Sequence, residues 1–242
     1  MLIHTSLFLN PLSALSLTMG WIAGSPATVE EMYSLKPTPK VGDVNINQTT
    51  MEMMLDGVPL TARIKIRGQV VKVSEDGGAT ELFQTLENKI TAEGQEFNGS
   101  LADPQQMTTS GKGHIVSIVG GNANSMSYRM AWIRSFLVPE QPVKVGETWK
   151  VGIKGVPKLG SENTNHEYKL LGIEKLKSES VGKVQATVEE ASGLEKMSSS
   201  ITFWIRLKDG LILKTAGQLK NVVLQDGMKP TDMKISSEIV SK

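Results

Sequence analysis

The side chains best suited to chemistry are scarce in this chain. Histidine occurs three times (His4, His114 and His166), and cysteine is absent. Without thiols there is no disulfide, thiolate zinc site, cysteine nucleophile or iron–sulfur cluster. Attachment of a bacterial lipid anchor to an N-terminal cysteine is excluded for the same reason. A Ser-His-Asp triad would have to use His114 or His166, and no Gly-x-Ser-x-Gly elbow accompanies either. His114 opens an apolar run and reads as a strand residue rather than a general base. His166-Glu167 offers two metal donors, but neighbouring strand residues point to opposite faces and do not share one ion. Ser110-Gly111-Lys112-Gly113 resembles a piece of a phosphate loop. It lacks the upstream glycine and the following Ser/Thr and leads into a strand, so it reads as a hairpin turn. No Asp or Glu stands in a clearly apolar setting, and Glu81, Glu174, Glu189 and Glu238 read as solvated strand positions. The expectation is no catalytic residue, no metal and no cofactor.

What remains is binding. Lys and Arg number 26 against 25 Asp and Glu, so no basic excess points to nucleic acid. Arg63-Ile-Lys-Ile-Arg67 reads as the wet face of one strand. Methionine is the compositional oddity, with twelve residues, clustered at Met51-Glu-Met-Met54 and at Met126 and Met130. Flexible thioethers suit surfaces that accept varied apolar partners. Met51, Met53, Met126, Met130, Trp149 and Phe203 are therefore the candidate ligand-lining residues, chosen by face and residue type.

The elements that must position them are mostly strands. Residues 1–27 lack formal charge, contain an apolar run from Leu12 to Ala23, and end on Ser25-Pro26-Ala27, the form of a cleaved export signal without its basic start. Residues 28–242 then form one β-rich domain. Alternation with period two runs through Met51/Met53/Leu55, Ala62/Ile64/Ile66, Val184/Ala186/Val188 and Ile201/Phe203/Ile205, punctuated by Asp56-Gly57, Glu75-Asp-Gly-Gly78 and Lys208-Asp-Gly210. Half-buried antiparallel sheet explains that pattern. Lys40-Val-Gly-Asp43 recurs as Lys144-Val-Gly-Glu147, and nine of the 39 positions in 40–78 match 144–182 at an offset of 104. Gly113–Gly120 resembles Gly210–Gly217 at an offset of 97. Two tandem copies, about 39–121 and 143–218, are the expectation. On the same alignment Gly68 pairs with Gly172, and Ile64/Ile66 face the same way as Tyr168/Leu170. Between the copies, Met126, Met130, Ile133 and Leu137 follow helical spacing, with Arg129, Arg134 and Ser135 facing away. One amphipathic helix is expected near 123–137, capped by Asn124 or Ser125 and stopped by Pro139.

Pro139-Glu-Gln-Pro-Val-Lys-Val-Gly-Glu-Thr-Trp149 resembles the P-x-x-x-V-x-V-G-[DE]-[ST]-W signature of a family of uncharacterised bacterial secreted proteins and lipoproteins. Lys40–Asp43 and Gly113–Gly120 resemble that family's K-x-G-[DE] strand start and the motif G-x-[IV]-x-S-x-x-G that its members carry near the middle. The resemblance implies a mainly β domain: a strongly curved antiparallel sheet shaped like the half-open barrel of lipoprotein carriers. It implies no catalytic residues. With the residue-level reading, the expected function is an exported, non-enzymatic binding or carrier module for a lipid or acyl chain. It would be periplasmic or secreted, soluble after cleavage, and without a stable membrane span. The alternative is a structural or protein-interaction domain of the cell envelope with a filled core.

Overall fold

The computed structural model describes residues 31–121, 123–156, 160–193, 195–224 and 229–241; the proposed export signal lies outside the described residues. Among the described residues, twelve strands and one helix follow in sequence order. The first meander comprises β1 (Val44–Leu55), β2 (Val58–Val73), β3 (Ala79–Ala92), the short β4 (Gln95–Asn98), β5 (Gln105–Thr109) and β6 (Ile115–Gly120). Helix α1 (Ser125–Ile133) follows. The second meander is β7 (Thr148–Ile153), β8 (Thr164–Leu176), β9 (Glu179–Glu190), β10 (Ser198–Arg206) and β11 (Ile212–Val222), and β12 (Thr231–Ser241) comes last. All pair antiparallel in one curved sheet of order β6-β5-β3-β2-β1-β12-β11-β10-β9-β8-β7, with β4 paired to β3. The sheet does not close into a barrel, so β6 and β7 are its edges. The Tyr128 hydroxyl of α1 caps the β6 edge by accepting from the Ile118 N–H and donating to its carbonyl, which satisfies groups that a free edge leaves open.

Alternation places one face of each strand inward. In β8, Thr164, His166, Tyr168 and Leu170 are buried while their neighbours face water; in β2 the even positions Ala62, Gly68 and Val70 are the buried ones. Both meanders begin with the same turn. Gly42 and Gly146 take φ of +92° and +89°, values at which a side chain is strained. Their N–H groups donate to the Val70 and Leu170 carbonyls, and the Val70 and Leu170 N–H groups donate back to Asp43 and Glu147. Lys40 and Lys144 donate their N–H to the Asp43 and Glu147 carboxylates.

The strand register runs differently from the sequence alignment in one respect. Val70 plays the part of Leu170, so the offset is 100 here rather than 104. The β-bulge in β2 lies between Val70 and Lys72 and that in β8 between Leu170 and Gly172. Gly68 therefore matches Tyr168 and not Gly172, because the stretch from Gly42 to Val70 is four residues longer than that from Gly146 to Leu170, β1 and β2 being longer strands than β7 and β8. The strands that start from Gly113 and Gly210, β6 and β11, keep the expected offset of 97: each carries one extra residue, Val116 opposite Thr108/Thr109 of β5 and Leu213 opposite Trp204/Ile205 of β10.

Helix α1 is shorter than its apolar spacing predicts. Asn124 caps it, its Oδ1 accepting from the Ser127 N–H. It ends at Ile133, leaving Leu137 outside. Tertiary partners take the backbone groups that would have continued it: the Tyr168 hydroxyl accepts from the Leu137 N–H and lies 3.0 Å from the Ser135 carbonyl, and Trp149 Nε1–H donates to the Leu137 carbonyl. Nor do the arginines face away into water. Arg129 makes a two-pronged pair with Glu190 (2.7 and 2.6 Å), whose side chain is 1 % exposed, and Arg134 turns beneath the helix end.

Two clusters make the core. The larger joins Leu35, Trp132, Leu137, Val143 and the inward residues of β8, β9 and β10, including Tyr168, Val184, Phe203 and Ile205. The smaller gathers Ile133, Val188, Met197, Leu219, Val222, Met233 and Ile235, with Met51, Met53, Met126 and Met130 packed against it.

Candidate functional site

The inner face of the sheet is filled under the second meander and hollow toward the first. A cavity of about 820 Å³ lies between α1, the segment that follows it and the inner faces of strands from both meanders. Val70, Met107, Ile115, Phe136, Phe203 and Ile235 supply apolar wall, and Glu81, Thr109 and Arg134 add polar groups. The register explains why the space is there. Cross-strand pairing aligns Val70, Glu81 and Met107 in the first meander and Leu170, Val184 and Phe203 in the second. Gly68 stands where the filled half has Tyr168, and Thr109 stands where it has Ile205. A bulky core side chain is thus replaced by a smaller or polar one at position after position.

Two straps cross the same end of the sheet. Val138 donates its N–H to the Lys112 carbonyl in the β5–β6 turn, and Thr38 donates its N–H to the Asp209 carbonyl in the β10–β11 turn. Both contacts require glycine beside them: a Cβ on Gly113 would collide with the Phe136 carbonyl oxygen, and one on Gly210 with that of Lys36. Leu35, 1 % exposed, anchors the strap at Thr38 in the larger core cluster.

The six candidate lining residues do not form one site. Met130 and Phe203 lie on the cavity wall. Met51, Met53, Met126 and Met130 come together, but as packing around the smaller core cluster, with Met53 also lining a separate recess of about 470 Å³ at the far ends of β1, β2, β11 and β12. Trp149 stacks on Tyr168 with ring centroids 5.2 Å apart. Sequence reasoning missed Met107, Ile115, Glu81 and Arg134. A face can be read from alternation, but where a face meets empty space depends on the opposing strands.

Glu81 corrects the reading of that residue as solvated. Its side chain lies on the cavity wall, and burial raises its pKa above the ordinary carboxylate value. Glu174, by contrast, accepts from Trp204 Nε1–H at the outer surface.

His114 and His166 sit outside the cavity, and His4 lies outside the described residues. His166 is 2 % exposed, with Nε2 2.8 Å from Thr164 Oγ1 and Nδ1 2.9 Å from the Tyr168 hydroxyl. The Tyr168 hydroxyl, accepting from Leu137, gives its own proton to the Ser135 carbonyl. The lone-pair count then sets Nδ1–H on His166 and leaves Nε2 to accept from Thr164. Thr164, His166 and Tyr168 mimic a nucleophile, base and orienting group. Burial, with a smaller contribution from His114, pushes the imidazolium pKa down to about 4, and both nitrogens are engaged, so the trio is a structural lock. His114 is half-buried beside Trp132, and its pKa is lowered by burial and then by Lys112. The phosphate-loop-like segment is the β5–β6 turn. Its Gly111 N–H is already given to Asp76 Oδ2, a carboxylate held at about 2 by Ser74, Gly111 and Gly78.

No family model matches the chain, and no curated protein matches it. Two solved structures are similar over most of its length. A DUF1329 family protein from Desulfovibrio piger is 14 % identical, with a TM-score of 0.24, over 81 % of this chain and 84 % of that one. An outer membrane lipoprotein-sorting protein domain from Vibrio parahaemolyticus is 11 % identical, with a TM-score of 0.23, over 82 % and 83 %. Likeness of that degree transfers no ligand or activity to this chain, and the site's chemistry rests on its own geometry. Among the described residues, no helix is long and apolar enough to cross a membrane.

Proposed function

We propose that this chain is an exported, non-enzymatic binding or carrier module whose ligand is a lipid or acyl chain. The cavity carries the reading: about 820 Å³ of space with a largely apolar wall, within the size range of small-molecule pockets. A protein that needed only a dry core had the means to fill it, as Tyr168, Val184, Phe203 and Ile205 do in the second meander. The two meanders, about 39–121 and 143–218, are on this reading tandem copies, one kept as a packed core and the other opened for a ligand. Export follows from the uncharged, apolar residues 1–27. A non-enzymatic role accords with the wall chemistry. Among the described residues Glu81 and Asp43 have no basic partner on that wall, Asp43 accepting only the Lys40 backbone N–H, and Asp209 pairs with Arg206.

Native mass spectrometry of gently purified protein, together with uptake of a fluorescent fatty acid, tests the proposal. A co-purifying lipid or saturable uptake is the expected result. An empty protein that takes up no amphiphile, but is recovered cross-linked to envelope proteins, would leave the structural-domain reading in its place.

A further inference from the structure

Five charged side chains line the cavity: Asp43, Glu81, Arg134, Arg206 and Asp209. Arg206 is held by Asp209 and Glu179, Asp43 accepts a backbone N–H, and burial holds Glu81 toward its neutral form. Arg134 differs from all of these. Its residue is half-buried, and its guanidinium has neither a hydrogen-bond nor an ion-pair partner among the described residues.

An unpaired guanidinium on an apolar wall is costly. It cannot shed its proton, so burial cannot be relieved that way. Arg134 is the C-cap of α1, where the helix dipole favours a cation. That attraction acts on any cation at a helix end and gives no reason for this guanidinium to line a cavity wall without a partner. The helix end alone does not explain the residue; an anion arriving with the ligand does.

Resting on the carrier reading above, we propose that Arg134 anchors the anionic head group of the ligand, which is an acyl-chain amphiphile ending in a carboxylate or phosphate. The planar guanidinium presents paired N–H donors that match either oxyanion. Met107, Ile115, Phe203 and Ile235 line the space left for the acyl tail.

The test uses the full chain, freed of bound lipid, with cis-parinaric acid and its methyl ester as fluorescent probes. These share an acyl tail and differ in head-group charge. The acid should bind the native protein about tenfold to a hundredfold tighter than the ester, the scale of one charged hydrogen-bonded contact. Arg134→Gln should remove that preference by weakening the acid alone, and Arg134→Lys should keep part of it. Displacement by palmitate or by hexadecyl phosphate separates the two head groups, and stronger displacement by either supports the anchor. Equal binding of acid and ester by the native protein, or a preference that survives Arg134→Gln, overturns the anchor while leaving the carrier reading intact. Uptake of neither probe overturns both. Should Arg134→Gln fail to fold, the acid-to-ester ratio of the native protein and of Arg134→Lys decides.

Discussion

Removing the Glu190 carboxylate should unfasten α1 from the sheet. Glu190 is the last residue of β9, and its side chain is 1 % exposed. Its oxygens accept from Arg129 Nε and Nη2 and from the Met197 N–H at 2.7, 2.6 and 2.7 Å. Glu190→Ala strands the Met197 donor, at about 1–3 kcal/mol for a buried unpaired group. It also leaves the Arg129 cation without its partner, for which breaking a buried pair costs about 3–5 kcal/mol. Arg129 is 17 % exposed and regains some water, so these costs do not add in full. The expected loss is about 3–4 kcal/mol, or about 6–16 °C in Tm for a protein of this size. Urea unfolding followed by circular dichroism measures it. Replacing both partners, Arg129→Met with Glu190→Met, should recover the share of the loss due to the stranded cation, while the Met197 donor stays unpaired. A cost below about 1 kcal/mol for Glu190→Ala would refute the fastening role. So would a double variant as unstable as the two single changes summed, since the coupling would then be nil.

Other consequences are also measurable. Burial depresses the His166 pKa to about 4, so the folded protein stays neutral there while the unfolded chain takes a proton near 6.5. Stability should therefore be complete above about pH 6.5 and fall by about 3 kcal/mol on going down to pH 4, and His166→Gln should flatten that part of the profile in urea titrations at several pH values. Gly42→Ala meets no atom within 4 Å and should cost about 1 kcal/mol from its positive φ alone. Gly113→Ala also strikes the Phe136 carbonyl and should cost about 2–3 kcal/mol, with faster amide exchange at Val138; equal costs for the two would refute the strap contact. Met107→Phe with Thr109→Ile copies the filled meander into the hollow one. It should weaken acyl-chain uptake about tenfold without lowering Tm, read by fluorescence titration and scanning calorimetry.

Much of this protein is legible in its residues one at a time. Period-two alternation set the strands because each side of a sheet meets one environment, and the shared facing of Tyr168 and Leu170 in β8 follows from it. The turns at Gly42, Gly146, Gly113 and Gly210 were readable because positive φ selects glycine. Local pattern also placed α1 and narrowed its cap to Asn124 or Ser125, of which the structure uses Asn124.

The tertiary structure decided what depends on residues distant along the sequence. Helix α1 stops at Ile133 because Tyr168 and Trp149, more than ten residues on, take the backbone groups of Ser135 and Leu137. Arg129 turns inward because Glu190 waits there, and that pair is invisible to any window of helical spacing. Glu81 alternates like a solvated residue, yet it faces a hollow, because Gly68 and Thr109 leave unfilled what Tyr168 and Ile205 fill in the other half. A sequence specifies which side of a strand turns inward. Whether that side meets a packed neighbour or a cavity is a sum over strands, and only folding performs it.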